Sequence, residues 1–221
     1  MNVLEAMRGR KSTRAYLDKP VARATIEAIL EAARWAPSGV NCQPWQVAVV
    51  TGTIKARIGD ELLAARQARQ PENPDYAYYP KDWQEPYKSR RKATGLALYH
   101  ALNIGKDDAF ARIKAWNNNY RFFGAPVGLL FFVDRALAQG AWVDMGMFIQ
   151  NVMLAARGHG LETCPQASLA EYPDIVRGIL TIPATRALVC GMALGYADAS
   201  APVNSYRTER EPVNAFMSWY E

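Results

Sequence analysis

Two histidines and three cysteines are all the imidazole and thiol that 221 residues supply. Cys42, Cys164 and Cys190 are odd in number and far apart, so neither a disulfide framework nor a zinc site with short ligand spacing is expected. That usage points to a reducing, cytoplasmic compartment, with the thiols serving as small apolar packing groups. His100 and His159 have no evident Ser–His–Asp or Cys–His arrangement around them and are expected to be structural or surface residues. No apolar run approaches the roughly 20 residues a membrane helix needs, and no basic–apolar–small leader pattern opens the chain. A membrane partner is therefore not expected. The Gly-rich dinucleotide fingerprint is also missing. Internal repeats, low-complexity stretches and composition breaks are absent too, which predicts one domain over residues 1–221.

What is present is globular: half the residues are apolar (50%) and 21% are charged. The formal net charge of +5 suits an anionic small ligand as well as it suits nucleic acid. A basic nucleic-acid-binding module is disfavoured, because the cations are spread among 21 acidic residues and no recognition-helix motif appears.

Along the chain, Asn2 caps a short helix with Val3, Leu4 and Met7 as its apolar face. Thr25 is expected to cap a second helix that ends near Trp35. The helical pattern returns over 54–69, 87–104, from Asp107 or Asp108 to Trp116, over 141–157 and over 172–180. Apolar runs at 46–50, 126–133, 161–164 and 187–194 read as strands, the first of them buried. Helices mixed with well-separated strands indicate an α+β layer fold. The apolar residues of 141–157 cover most of its circumference, so that helix should be deeply buried.

Three stretches carry candidate chemistry. In Arg10-Lys11-Ser12-Thr13-Arg14, an extended backbone puts Arg10, Ser12 and Arg14 on one side, which makes either an anion grip or a solvated basic turn. In Ala36 to Trp45, Pro37 ends the preceding helix, Gly39 permits positive φ, and Ser38 and Asn41 can bond backbone or ligand. The same stretch also reads as an ordinary connector. From Pro71 to Pro86, four prolines alternate with Tyr76, Tyr78, Tyr79 and Trp83, either a functional cover or a surface loop. The apolar tail after Gly195 has no core of its own and needs a surface to cover.

These motifs, together with Gly191 to Tyr196, Arg207-Thr208-Glu209-Arg210, Asn119 to Pro126, Asp144-Met145-Gly146 and Cys164-Pro165, resemble the FMN-dependent nitroreductase family nearly end to end. The last segments lean towards its nitrobenzoate reductase-like branch. The resemblance implies a central, mainly antiparallel sheet flanked by helices, in a homodimer with two FMN sites at the interface. It further implies a cap or substrate-side insertion at about 71–118 and a C-terminal extension, about 197–221, exchanged across the dimer. Residue by residue, Arg10, Lys11, Ser12 and Arg14 would meet FMN, with Arg207 or Arg210 joining Arg10 on the phosphate. Pro37, Ser38, Gly39 and Asn41 would contact the ring from the other subunit. Asn119, Arg121, Pro165, Gln166 and Ala167 would complete the ring site.

The implied reaction needs no catalytic side chain. NADH or NADPH delivers hydride to flavin N5, a small aromatic acceptor takes two electrons, and Arg14 supports the reduced flavin. The Tyr76–Trp83 segment and the basic Lys88–Lys92 stretch are expected to form the substrate lid, with Arg90 and Arg91 favouring a carboxylate on the acceptor. The same scaffold also serves flavin or quinone reductases, dehalogenases and ene-reductases.

Overall fold

Residues 127–133 show no polar alternation, the pattern of a strand covered on both faces. The structure, a computed structural model describing all 221 residues, places that run at the centre of the sheet. Strands β1 (Gln46–Thr51), β2 (Val127–Asp134), β3 (Glu162–Gln166) and β4 (Arg186–Gly195) lie in the order β1-β2-β4-β3, every pairing antiparallel. The two-residue period of β2 then divides the core. Leu129, Phe131 and Val133 pack with α2 (Arg23–Ala33) and α6 (Gly140–Gly158). Leu130 and Phe132 pack on the other face with α3 (Gly52–Gln67) and α7 (Pro173–Leu180). No helix is long and apolar enough to cross a membrane.

Local chemistry explains most helix ends. In α1 (Val3–Gly9), Asn2 and Glu5 form a reciprocal capping box, with both bonds at 2.9 Å. Asp108 caps α5 (Ala109–Asn117) by accepting from the Ala111 N–H at 2.9 Å. Gly160 takes φ 71° just past α6.

Four expectations need correction. Thr25 does not cap α2: its N–H already bonds the Ala22 carbonyl at 3.0 Å, so it sits inside the first turn. That helix also stops at Ala33, because Pro37 pushes Ala36 away from helical backbone and the last turn unwinds early. Strand β1 is an edge strand in which only Val50 is buried. Helix α6 is buried on one side alone, through Met145, Phe148, Val152 and Ala156, while Val143 is 65% exposed. Met147 and Leu154 on its outer side are half-buried.

Helix α4 (Tyr87–Ala101) and α5 follow the aromatic segment, and from Ala77 to Asn119 no residue is buried. This long excursion is fixed at its two ends. Asp75 is tied into the domain by Arg177 and by the Leu188 N–H, and the Tyr76 hydroxyl donates to the Val189 carbonyl at 2.6 Å. At the far end the fully buried Tyr120 donates its hydroxyl to Glu171.

Candidate functional site

After α1 the chain becomes extended and runs beside β3. Ser12 bridges to Thr163 in parallel, and the Thr13 N–H donates to the Thr163 carbonyl at 3.0 Å. Thr13 faces inward and is fully buried, so Arg10, Ser12 and Arg14 turn to the opposite side. The C-terminal segment lies against them, and between the two is a cleft of about 420 Å³. Arg8, Arg10, Lys11, Arg14, Arg207 and Arg210 all line it, interleaved with Ser12, Thr94, Tyr206 and Thr208. No carboxylate lines it. Arg10 is held below its ordinary pKa first by burial and then by Arg210, with Glu162 opposing and Arg207 and Arg157 adding to the shift. Cations packed closely enough around Arg10 to depress it make a site that an anion relieves.

Arg14 also lines the second, larger cavity of about 660 Å³. One wall is Tyr76, Tyr78, Tyr79 and Lys81 of the aromatic segment, whose neighbouring rings lie 4.7–6.0 Å apart. Leu98, Tyr99 and Leu102 of α4 with Trp116 of α5 make another. The floor is Cys164 to Ser168, where β3 ends. There the Gln166 amide donates to the Asn119 carbonyl at 2.6 Å, while Gln166 Oε1 and Ser168 Oγ are buried without a partner in the protein. Buried polar atoms left open at a cavity wall are what a ligand's own polar atoms complete.

The structure therefore brings Arg10, Lys11, Ser12, Arg14, Arg207 and Arg210 to one cleft, and Arg14, Asn119, Pro165, Gln166 and Ala167 to the adjoining cavity. Arg121 reaches neither: its side chain is 65% exposed and its guanidinium stands 3.6 Å from Asp60. Arg90 and Arg91 also stay outside the cavity. Arg90 bonds Glu211 at 2.9 Å, and Arg91 lies over the Trp83 ring. The carboxylate preference expected from them has no support in their positions.

Pro37, Ser38, Gly39 and Asn41 line neither space within one chain. Their loop is held by the Gly39 N–H on Asp144 at 3.2 Å and the Gln43 N–H on Ser38 Oγ at 3.0 Å. The positive φ expected at Gly39 falls instead on Val40 (47°), Asn41 (57°) and Gln43 (50°). For a β-branched residue such as Val40 this is strained backbone, of the kind that clusters at ligand clamps and switch regions. Val40 is fully exposed. Cys42 beside it is exposed as well, so it is not the packing residue expected.

Sequence reasoning missed Asn204, Tyr206 and Ser168. Asn204 and Tyr206 lie within three residues of Arg207, and Ser168 directly follows Ala167, so their places in the chain were usable signals.

The sequence and fold are similar to those of known proteins. A profile described as the nitroreductase family matches residues 7–196. A 4-nitrobenzoate reductase of Nocardioides sp. (strain LMS-CY) is 42% identical over 216 residues, covering 96% of this chain and 87% of that protein. A nitrobenzene nitroreductase of Ectopseudomonas oleovorans is 37% identical over 217 residues, covering 97% of this chain and 95% of that protein. The crystal structure of the FMN and NADPH-dependent nitroreductase NfnB from Sphigopyxis sp. strain HMH superposes with a TM-score of 0.96 at 41% identity, covering 100% of both chains. Sequence and fold agree along the whole length, and the chain belongs to the nitroreductase family.

Proposed function

We propose that this protein is an FMN-dependent oxidoreductase that draws on NADPH or NADH and reduces nitroaromatic acceptors two electrons at a time. One observation carries the reading: a cleft lined by cations and free of carboxylates lies beside a large aromatic-walled cavity, with Arg14 lining both. The residues fit the cofactor. Arg10, Lys11, Arg207 and Arg210 offer charge-assisted bonds to a terminal phosphate. Gln166 Oε1 and Ser168 Oγ leave polar positions open where a ring edge would lie. FMN bound there supplies the hydride and two-electron chemistry. Arg14, at the junction, places a positive charge where it opposes the negative charge a flavin gains on reduction. The tyrosine wall and Trp116 offer flat faces to an aromatic acceptor and keep water from it.

The working unit in this reading is a homodimer. From Arg207 to Glu221 every residue is exposed, including Phe216 (73%), Trp219 (78%) and Tyr220 (92%). Trp35, Val40 and Val143 form a further apolar set on the loop 35–40 and the adjoining helix α6. A single chain leaves this much apolar surface in water, and a second copy would cover it. Residues 71–118 act as the cap over the cavity. Of the extension at 197–221, residues 197–206 pack on their own chain through Val203, Asn204 and Tyr206, so its exposed remainder is the part that wraps the partner, and the loop at 37–41 reaches the partner's flavin.

The test is the visible spectrum of the purified protein, followed by NADPH and NADH oxidation with nitrobenzene and 4-nitrobenzoate as acceptors. A flavin band and acceptor-dependent oxidation are expected. A protein that stays colourless after FMN is added overturns the proposal.

A further inference from the structure

We propose that Tyr206 is a positioning residue that holds the Arg14 guanidinium towards the flavin site and thereby sets how much more tightly reduced FMN is held than oxidised FMN. The inference rests on the FMN reading above.

Arg14 Nη1 donates to the Tyr206 hydroxyl oxygen at 3.0 Å, a bond that spans 192 positions of sequence. Its other contacts are weaker: the Ser12 carbonyl at 3.4 Å, and the Phe123 ring, whose centroid lies 5.9 Å from the guanidinium carbon. Tyr206 therefore supplies the one close side-chain bond that fixes where this charge sits.

The backbone beneath is fixed separately, by Asn204. Its side chain is buried and all of its polar groups are used. Oδ1 accepts from the Arg14 N–H at 2.8 Å, and Nδ2 donates to the carbonyls of Ala15 at 2.8 Å and Asp198 at 2.9 Å. The Asn204 carbonyl accepts from Lys11 Nζ. Two residues of the C-terminal segment thus divide the work: Asn204 holds the main chain of Arg14, and Tyr206 holds its charge.

The division matters because a cation stabilises a developing anion as the inverse of distance, and more strongly where water is excluded. A guanidinium that swings on its flexible stem loses that selectivity, even though the protein's net charge is unchanged. Burial keeps the Tyr206 phenol raised above its ordinary pKa, with Arg14 opposing and Cys164 adding, so the hydroxyl stays protonated across the working range. Its oxygen accepts from Arg14, and its proton remains available to the cleft that it lines.

The experiment measures the flavin reduction potential and the affinity for oxidised FMN in Tyr206→Phe, Arg14→Gln and the double variant. Tyr206→Phe is expected to shift the potential to more negative values. The ratio of reduced to oxidised FMN affinity should fall about tenfold, the scale of one hydrogen bond to a charged group. In the Arg14→Gln background the same tyrosine change is expected to shift nothing further, because the two act as one unit. Tyr206→Gln, whose amide oxygen can accept from Arg14, is expected to restore most of the potential. An unshifted potential in Tyr206→Phe overturns the inference, and so does a shift that persists without Arg14. A wild-type protein that takes up no FMN overturns the functional reading itself, a result distinct from either.

Discussion

Arg177 grips Asp75 with both terminal nitrogens, Nη1 at 2.6 Å from Oδ2 and Nη2 at 3.2 Å from Oδ1, across 102 positions of sequence. Both side chains are nearly inaccessible, 8% and 3% exposed. The same carboxylate accepts from the Leu188 N–H at 2.7 Å and from Arg135. Asp75 stands next to Tyr76, where the chain leaves the domain to build the cavity's aromatic wall, so this pair ties the wall to β4 and α7.

Removing Asp75 strips the Leu188 N–H of its acceptor and leaves the buried Arg177 guanidinium with Asp174, 69% exposed, as its one remaining carboxylate. Asp75→Ala is therefore expected to cost about 3 kcal/mol, the low end for a broken buried pair, whereas Arg135→Ala, at a site 40% exposed, should cost under about 1 kcal/mol. Burial pushes the Asp75 carboxyl up, but the bonds from Arg177, Leu188 and Arg135 outweigh it and hold the group below its ordinary value. A depressed carboxyl contributes stability above its unfolded pKa of about 3.9 and loses it as pH falls through the lower, folded value. Chemical denaturation of both variants at pH 7 and pH 3 checks this. Equal losses for the two alanines at pH 7 would show that the burial of Asp75 counts for nothing.

The basic cleft makes a separate prediction about ligand affinity. Arg10→Ala or Arg207→Ala removes one charge-assisted bond of about 1.5–3 kcal/mol, so FMN affinity should fall at least about tenfold. Riboflavin, which has the same ring and no phosphate, should bind the variants and the wild type alike. Fluorescence titration of both flavins at two salt concentrations makes the comparison. A parallel loss of riboflavin binding would mean that the arginines shape the fold rather than grip phosphate.

Where the fold was legible in the sequence, one local rule sufficed. The strand at 127–133 is uninterrupted apolar residues, and the helix starts at Asn2 and Asp108 are marked by capping side chains within the first turn. The basic cluster was legible too, because alternation on an extended chain needs no knowledge of the partner element. Asp75 was illegible: it is one acid in a proline-rich loop, and its partner is 102 residues away. Positive φ at Val40 runs against every local preference and is held by surrounding structure, through the Gly39–Asp144 and Gln43–Ser38 bonds. The burial of α6 was overestimated for the opposite reason. Its outer apolar face is real, but periodicity alone does not say whether the covering surface belongs to the same chain.

At the far end of the excursion, Glu171 accepts from the buried Tyr120 hydroxyl, with Arg66 at 3.9 Å. Burial raises the Glu171 carboxyl and Glu72 adds to the shift, while the Tyr120 bond and Arg66 oppose it. A raised carboxyl contributes stability that is complete below its unfolded pKa, about 4.3, and is lost as pH rises through the folded value. Glu171→Gln keeps an oxygen for Tyr120 and has no charge to bury. Its melting temperature relative to wild type should therefore rise between pH 4 and pH 8. A difference that stays flat across that range would show that the carboxylate is not strained at neutral pH.

The outer face of α6 supplies the test of assembly. Val143 is 65% exposed in the single chain, so a glutamate there meets no neighbour and should leave the monomer's own stability within about 0.5 kcal/mol. In a dimer that covers this face, the same glutamate is buried without a partner at a cost of several kcal/mol, and the dissociation constant should rise about 100-fold or more. Asp144, about 100° round the helix from Val143, is the carboxylate that accepts from the Gly39 N–H at 3.2 Å, so the loop proposed to reach the other subunit's flavin is anchored on the same helix. Val143→Glu is accordingly expected to lower FMN affinity together with dimer content, and raising the protein concentration should restore both. Sedimentation velocity and flavin fluorescence on the same samples provide the measurement. A Val143→Glu protein that binds FMN normally while fully monomeric would mean that each chain completes its own ring site, and the loop at 37–41 would then have no part in it.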